Sequence, residues 1–183
     1  MNITIQSMED KYFQASLDLI QQVFTDHADE KEGNLVRALT EEIRAKRFYM
    51  PELEIIAVCE GEVVGYANFS RFHLEGKYED RLLLLSPVAV KTQLQRRHIS
   101  KQMIEYGFEK AAEMGFEAVI VEGNPRNYNP RGFVTAANQG ILPGKTVHLP
   151  AIECLMVKEL KAGALENIKG NVEYTDYETL LGE

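Results

Sequence analysis

The chain has 183 residues, 28 acidic against 20 basic, for a formal net charge of −8, with 45% apolar and 26% charged side chains. That length fits one domain able to bury a substantial core, and the composition is that of an ordinary globular protein. The acidic balance argues against general nucleic-acid or anionic-membrane binding and weakly favours a cationic substrate, no apolar run approaches membrane-spanning length, and the opening MNITIQSMED lacks the basic and apolar regions of a signal peptide.

In chain order, Ile3 to Ile5 reads as a short first strand. Ser7 with Asp10 suggests a helix start of the capping-box kind. Phe13, Leu17, Ile20 and Phe24 recur at helical intervals, which predicts an amphipathic helix over residues 9–24. Thr25 to Gly33 reads as a polar, acidic loop. Asn34 is expected to cap a second helix with a buried stripe of Leu35, Leu39 and Ile43, and Pro51 ends that region. Leu53 to Cys59 and Val63 to Phe72 then form strands joined by Glu60-Gly61-Glu62, a hairpin signal. His73 to Asp80 is read as a polar connection. Cys59 and Cys154 lie inside apolar patterns without metal spacing, so they read as small buried thiols of a chain in the reducing cytoplasm.

The most informative stretch is Arg81 to Met114. Leu82 to Leu85 are too continuously apolar for a half-wet strand and are expected to be buried on both faces. Pro87 removes one ladder hydrogen bond, and Val88, Ala89 and Val90 carry the strand onward. After a turn at Lys91 to Leu94, Gln95-Arg96-Arg97-His98-Ile99-Ser100 runs into helical spacing at Ile99, Met103, Tyr106 and Lys110. A helix N-terminus offers unpaired N–H groups and a partial positive charge to an anion. Lys91, Arg96, Arg97 and Lys101 reinforce it, with no Asp or Glu from Lys91 to Ile104. Four charges in an acidic chain fall short of a nucleic-acid tract. A bare solvated helix start remains the plain alternative.

This segment resembles the signature region of the GNAT superfamily of acyl-CoA-dependent N-acyltransferases, in which a strand precedes Q/R-x-x-G-x-G/A. Gln95, Arg96, Arg97 and Ile99 fit that pattern; His98 stands where its first glycine is expected, and Ser100 where the second glycine or alanine is. Histidine tolerates the left-handed backbone region better than most residues, and its imidazole offers a phosphate contact of its own. The resemblance implies a mixed α/β fold with a central sheet flanked by helices and strands splayed at the CoA site. It also implies acetyl-CoA as co-substrate, its pyrophosphate held by backbone amides of Gln95 to Ser100 and its pantetheine arm paired to Val88, Ala89 and Val90.

After Gly115, a helix C-cap residue, Phe116 to Val121 reads as a buried strand, so the middle of the chain is strand, helix, parallel strand. The turn-rich VEGNPRNYNPRGF follows at that strand's C-terminal end, where ligands of open α/β sheets sit. Gly123-x-Pro125, Tyr128 and Gly132-Phe133 resemble the GDPxYYxRFGF stretch of a bacterial GNAT subfamily. PELEIIAVCEGEVVGY and AGALENIKGNVEY are similar to that subfamily's second and third strands and its C-terminal extension. The resemblance implies that Tyr128 protonates the departing thiolate and places Asn124 beside the cofactor. Asn127, Pro130 and Arg131 depart from the pattern, and Pro130 reduces the short helix expected there to a turn.

Glu122 ends the strand at the right edge to relay a proton as a general base; a solvated carboxylate is the alternative. His73 and His148 show no partner and read as surface residues. Ala151 to Leu160 is a late strand, and from Lys161 the chain is a tail with little periodicity. The expectation is a single domain over residues 1–183, with 161–183 an extension packed on it, transferring acetyl from acetyl-CoA to a primary amine. It would act as a monomer or homodimer without metal, nucleic acid or membrane. The competing expectation, motivated by His98 and Pro130, is a degenerate relative that binds acyl-CoA as a sensor or scaffold.

Overall fold

The computed structural model describes residues 1–182. In order it contains β1 (Ile3–Ser7), α1 (Phe13–His27), α2 (Glu30–Ala45), β2 (Glu54–Cys59), β3 (Glu62–Leu74), β4 (Lys77–Val90), α3 (Ile99–Glu113) and β5 (Ala118–Glu122). Then come α4 (Pro125–Tyr128), β6 (Val134–Thr135), β7 (Ile141–Pro143), β8 (Leu155–Glu159), β9 (Gly170–Val172) and α5 (Glu178–Leu181). Seven strands form one mixed sheet in the order β1-β2-β3-β4-β5-β8-β6, with β4 parallel to β5; β7 and β9 form a separate parallel pair. Contact density divides the chain into two compact units, residues 1–70 with 86–110, and residues 71–85 with 111 onward.

In the first unit, the stretch read as a loop over Thr25 to Gly33 is mostly helix. Gln22 donates to Asp26 one turn on (2.6 Å), α1 runs to His27, and only Ala28 and Asp29 separate the helices. Asp29, not Asn34, caps α2, its carboxylate accepting from the Glu32 N–H at 2.8 Å. Asn34 lies inside α2 and accepts from Gln21 of α1 at 2.6 Å. Gly33 belongs to the helix because the two helices meet there: a Cβ would stand 2.0 Å from Thr25 Oγ1 and 2.5 Å from the Gln21 carbonyl. The buried row is Val36, Leu39, Thr40 and Ile43, and Leu35 is 41% exposed.

Ile20, Val23 and Val36 pack with Ile56, Val58, Val63 and Tyr66 on one face of β2 and β3. The β2–β3 hairpin closes through Glu60 and Gly61, both with positive φ (51° and 81°), as a two-residue turn requires. Helix α3 covers the opposite face, with Met103 against Gly65 and the Phe69 ring so close to Gly107 that a Cβ there would lie 2.1 Å from it. Beneath α1 and α2, Glu54 is fully buried and receives Arg44 Nε at 2.7 Å, Tyr49 Oη at 2.6 Å and the Tyr66 hydroxyl.

In the second unit, Leu82–Leu84 pair with Ala118–Ile120 and the register ends there. Leu82 to Leu85 and Ala118 to Val121 are buried throughout, as a strand covered on both faces demands. The expected connection from His73 to Asp80 is instead a continued hairpin: β3 reaches Leu74, β4 begins at Lys77, and Glu75 and Gly76 turn with φ of 53° and 84°.

Nor is the segment after Lys161 featureless. Ala164, Leu165, Ile168, Val172 and Tyr174 enter one core with Leu82, Leu84, Ala118, Ile120 and Val157. Its elements are three or four residues long, too short for a period to show. Cys59 and Cys154 are free and only partly buried. Among the described residues no helix is long and apolar enough to cross a membrane, and no three His, Cys, Asp or Glu side chains are grouped to hold a metal.

Candidate active site

The first unit carries the basic turn. β4 ends at Val90 and the Lys91 N–H donates to the Val64 carbonyl at 2.9 Å, so the chain stays on the sheet until the turn begins. Thr92–Leu94 make one 3₁₀ turn, and the Gln95 side chain folds back to donate to the Val90 carbonyl at 3.1 Å. Arg96 and His98 both take left-handed backbone, φ 64° and 62°. His98 thus adopts the conformation for which glycine is the default.

Gln95 to His98 are exposed, Ile99 is buried as the first residue of α3, and Ser100 is half-buried. Lys91 pairs with Glu62 at 2.5 Å and Lys101 with Glu105 at 3.7 Å. The side chains of Arg96, Arg97 and His98 make no hydrogen bond or ion pair among the described residues. Two guanidiniums and an imidazole therefore stand without a protein partner at a helix N-terminus, an arrangement suited to a doubly charged anion. Val88 is partly exposed on β4, whereas Ala89 and Val90 are buried.

The second unit carries the loop after β5. Asn124 caps α4, its Oδ1 accepting from the Arg126 N–H at 3.0 Å, and Pro125 occupies the first helical position. The helix is a single turn, as the proline pattern predicts. Pro130 falls at the start of the following 3₁₀ turn, where a missing N–H costs nothing. Gly132 (φ 90°) then reverses the chain, so that Phe133 meets Tyr128 edge to face at 5.6 Å between centroids. The Tyr128 ring also lies against Gly123, where a Cβ would be 2.6 Å from Cε2. The G-x-P-x-x-Y spacing is therefore a packing requirement: no larger residue at 123 leaves room for the ring.

The Tyr128 hydroxyl makes no hydrogen bond to protein among the described residues. Burial pushes its pKa up, and the Arg131 guanidinium, 5.9 Å from the ring centroid, pulls it back. The phenol holds its proton at neutral pH.

Glu122 projects from the exposed end of β5 opposite Leu155 of β8. Its Oε2 accepts from the Tyr174 hydroxyl at 2.7 Å. His73, expected to lack a partner, is held at both ring nitrogens: Nε2 faces Asp176 Oδ2 at 2.6 Å and Nδ1 accepts from the Gly76 N–H at 2.8 Å. With Nδ1 accepting, Nε2 is the ring nitrogen that donates to Asp176. Tyr174 and Asp176 stand 52 and 103 residues from their partners, and no local pattern announces either contact.

Comparison with known proteins gives four findings. The profile of a family described as "Acetyltransferase (GNAT) domain" matches residues 4–136. The N-acetyltransferase YhbS of Escherichia coli K12, itself described as uncharacterized, is 29% identical over 119 residues, 64% of this chain and 68% of that protein. The crystal structure of E. coli YhbS in complex with CoA superposes with a TM-score of 0.83 at 22% identity, covering 95% of this chain and 90% of that one. A GNAT acetyltransferase from Brucella melitensis in complex with acetyl-CoA gives 0.67 at 21% identity over 94% and 96%.

Proposed function

The chain belongs to the GNAT acetyltransferases, and from that premise we propose that it moves an acetyl group from acetyl-CoA to a primary amine by direct transfer. The observation that carries the reading is the turn from Gln95 to His98: exposed, left-handed at two positions, and bearing three side chains without a hydrogen-bond or ion-pair partner among the described residues at the start of α3. Its main-chain donors, with Arg96, Arg97 and His98, are assigned to the CoA pyrophosphate, and Asn124 lends its open amide nitrogen to the cofactor. YhbS and the Brucella relative were crystallised with CoA and acetyl-CoA, which supports the same cofactor here.

Val88 to Val90 are assigned to the pantetheine arm, where β4 runs on past its last pairing with β5. A main-chain N–H there polarises the thioester carbonyl. Glu122 takes a proton from the acceptor ammonium, the neutral amine attacks the carbonyl carbon, and the tetrahedral adduct collapses with cleavage of the C–S bond. The sulfur then leaves with the Tyr128 proton, and the second proton of the adduct nitrogen, passed through water, restores the phenol. Most of the acceleration comes from holding the two substrates together. The net charge of −8 favours a cationic acceptor, and two free, partly exposed cysteines suit a reducing cytoplasm.

A melting experiment tests the cofactor assignment. CoA at 100 times its Kd should stabilise the native chain by about 2.7 kcal/mol, and an unchanged melting temperature would refute the pyrophosphate site. His98→Gly should give two opposite shifts. The apo protein melts higher, because left-handed backbone costs a non-glycine residue about 1–2 kcal/mol. The increment produced by CoA shrinks, because an imidazole contact to phosphate is gone; an increment that grows would show that the side chain only obstructs. A normal CoA shift with no transfer to any amine would favour a sensor or scaffold.

A further inference from the structure

β5 alternates toward a charged end. Ala118 and Ile120 are fully buried in the core of the second unit, and the next residue on that face is Glu122. Tyr174 belongs to the same core, 6% exposed and 6.4 Å from Phe72 between ring centroids, and its hydroxyl reaches Glu122 Oε2 at 2.7 Å. The second carboxylate oxygen makes no hydrogen bond among the described residues. A rigid ring thus pins one oxygen and leaves the other toward solvent.

Given the transferase reading above, on which this rests, we infer that Tyr174 is a positioning residue for that reaction: its hydroxyl orients the Glu122 carboxylate so that Oε1 receives the acceptor's proton. The C-terminal segment, which carries no residue of the cofactor turn, becomes part of the proton-transfer machinery. Tyr174 itself does not exchange its proton. Burial first, then the carboxylate beside it, hold its ionisation far above the ordinary phenol range, so it donates one hydrogen bond throughout. The proton moves from the acceptor nitrogen to Glu122 and on to water, and the electron pair left on nitrogen forms the new N–C bond.

A plain tether is the rival explanation, since the same segment is tied a second time by Asp176 to His73 at 2.6 Å. The test uses the full chain, acetyl-CoA, and spermidine, tyramine and Nα-acetyl-lysine as acceptors, following release of the CoA thiol. Tyr174→Phe keeps the ring in the core and removes only the hydroxyl. It should lower kcat about tenfold or more, the scale of a hydrogen bond to a charged group, with KM for acetyl-CoA and the melting temperature nearly unchanged. Glu122→Gln combined with Tyr174→Phe should be no slower than Glu122→Gln alone, because both act through one carboxylate.

Multiplying effects, unchanged turnover in Tyr174→Phe, or a loss that tracks a fall in melting temperature reproduced by Asp176→Ala would overturn the inference. Wild-type protein that is stabilised by CoA yet transfers to none of the three amines would refute the transferase reading beneath it, and this inference with it.

Discussion

Tyr128→Phe should lower kcat roughly 10²-fold or more while the stabilisation by CoA stays as in the wild type, the scale expected when a positioned acid is lost. The phenyl ring still fits against Gly123 and Phe133, so folding and cofactor binding have no reason to change. Only the proton for the leaving sulfur is missing. On ordinary values of about 10 for a phenol and 8.5 for a thiol, handing over that proton is uphill by about 2 kcal/mol. Burial of Tyr128 makes it steeper, and Arg131 over the ring offsets part of the rise by stabilising phenolate. The proton therefore moves as the C–S bond breaks, when sulfur is most basic. Stopped-flow measurement of CoA release separates the outcomes: a slowed chemical step with unchanged CoA affinity supports the assignment, and wild-type turnover removes Tyr128 from the mechanism.

Where the sequence was legible, the reason is locality. Four consecutive leucines before a proline, a basic turn and a helical stripe occupy one stretch, and each is decided within a few residues. The β4–α3–β5 unit follows from them, and so does the left-handed turn at His98, because backbone tolerance is a property of the residue itself. The misreadings share the opposite cause. Gly33 looks like a loop residue until α1 lies across it, and Asn34 looks like a cap until Asp29 and Gln21 are placed. His73 seems unpartnered until Asp176, 103 residues on, folds back. At the candidate site, the spacing from Gly123 to Tyr128 marks the ring's seat, but nothing near Glu122 in the chain points to Tyr174. Contacts between distant residues are written in complementarity, which a periodic pattern does not display.

The largest effect on stability should come from a residue with no part in the chemistry. Replacing Arg44 by Met should cost about 3–5 kcal/mol, read from the midpoint of urea unfolding, because it leaves the Glu54 carboxylate buried without its cation. Glu54 is fully buried on β2, and Arg44 holds it at 2.7 Å while also donating to Ser16 Oγ at 2.7 Å and the Phe13 carbonyl at 3.3 Å. One guanidinium thereby ties α1, α2 and β2. Pairing Arg44→Met with Glu54→Leu should recover much of the loss, since an apolar pair of similar volume carries no desolvation penalty; a double variant as unstable as the single would show that packing, not charge, dominates. The phenols that serve Glu54 add a pH signature. Burial raises the pKa of both Tyr49 and Tyr66 in the folded chain, with Glu54 adding to the rise, so their contribution is intact below the ordinary phenol value of about 10. Above it the unfolded chain ionises while the folded one holds both protons, and stability should fall by up to about 2.7 kcal/mol per pH unit for the pair. Tyr66→Phe should halve that slope, and an unaltered slope would mean that the alkaline transition belongs to other groups.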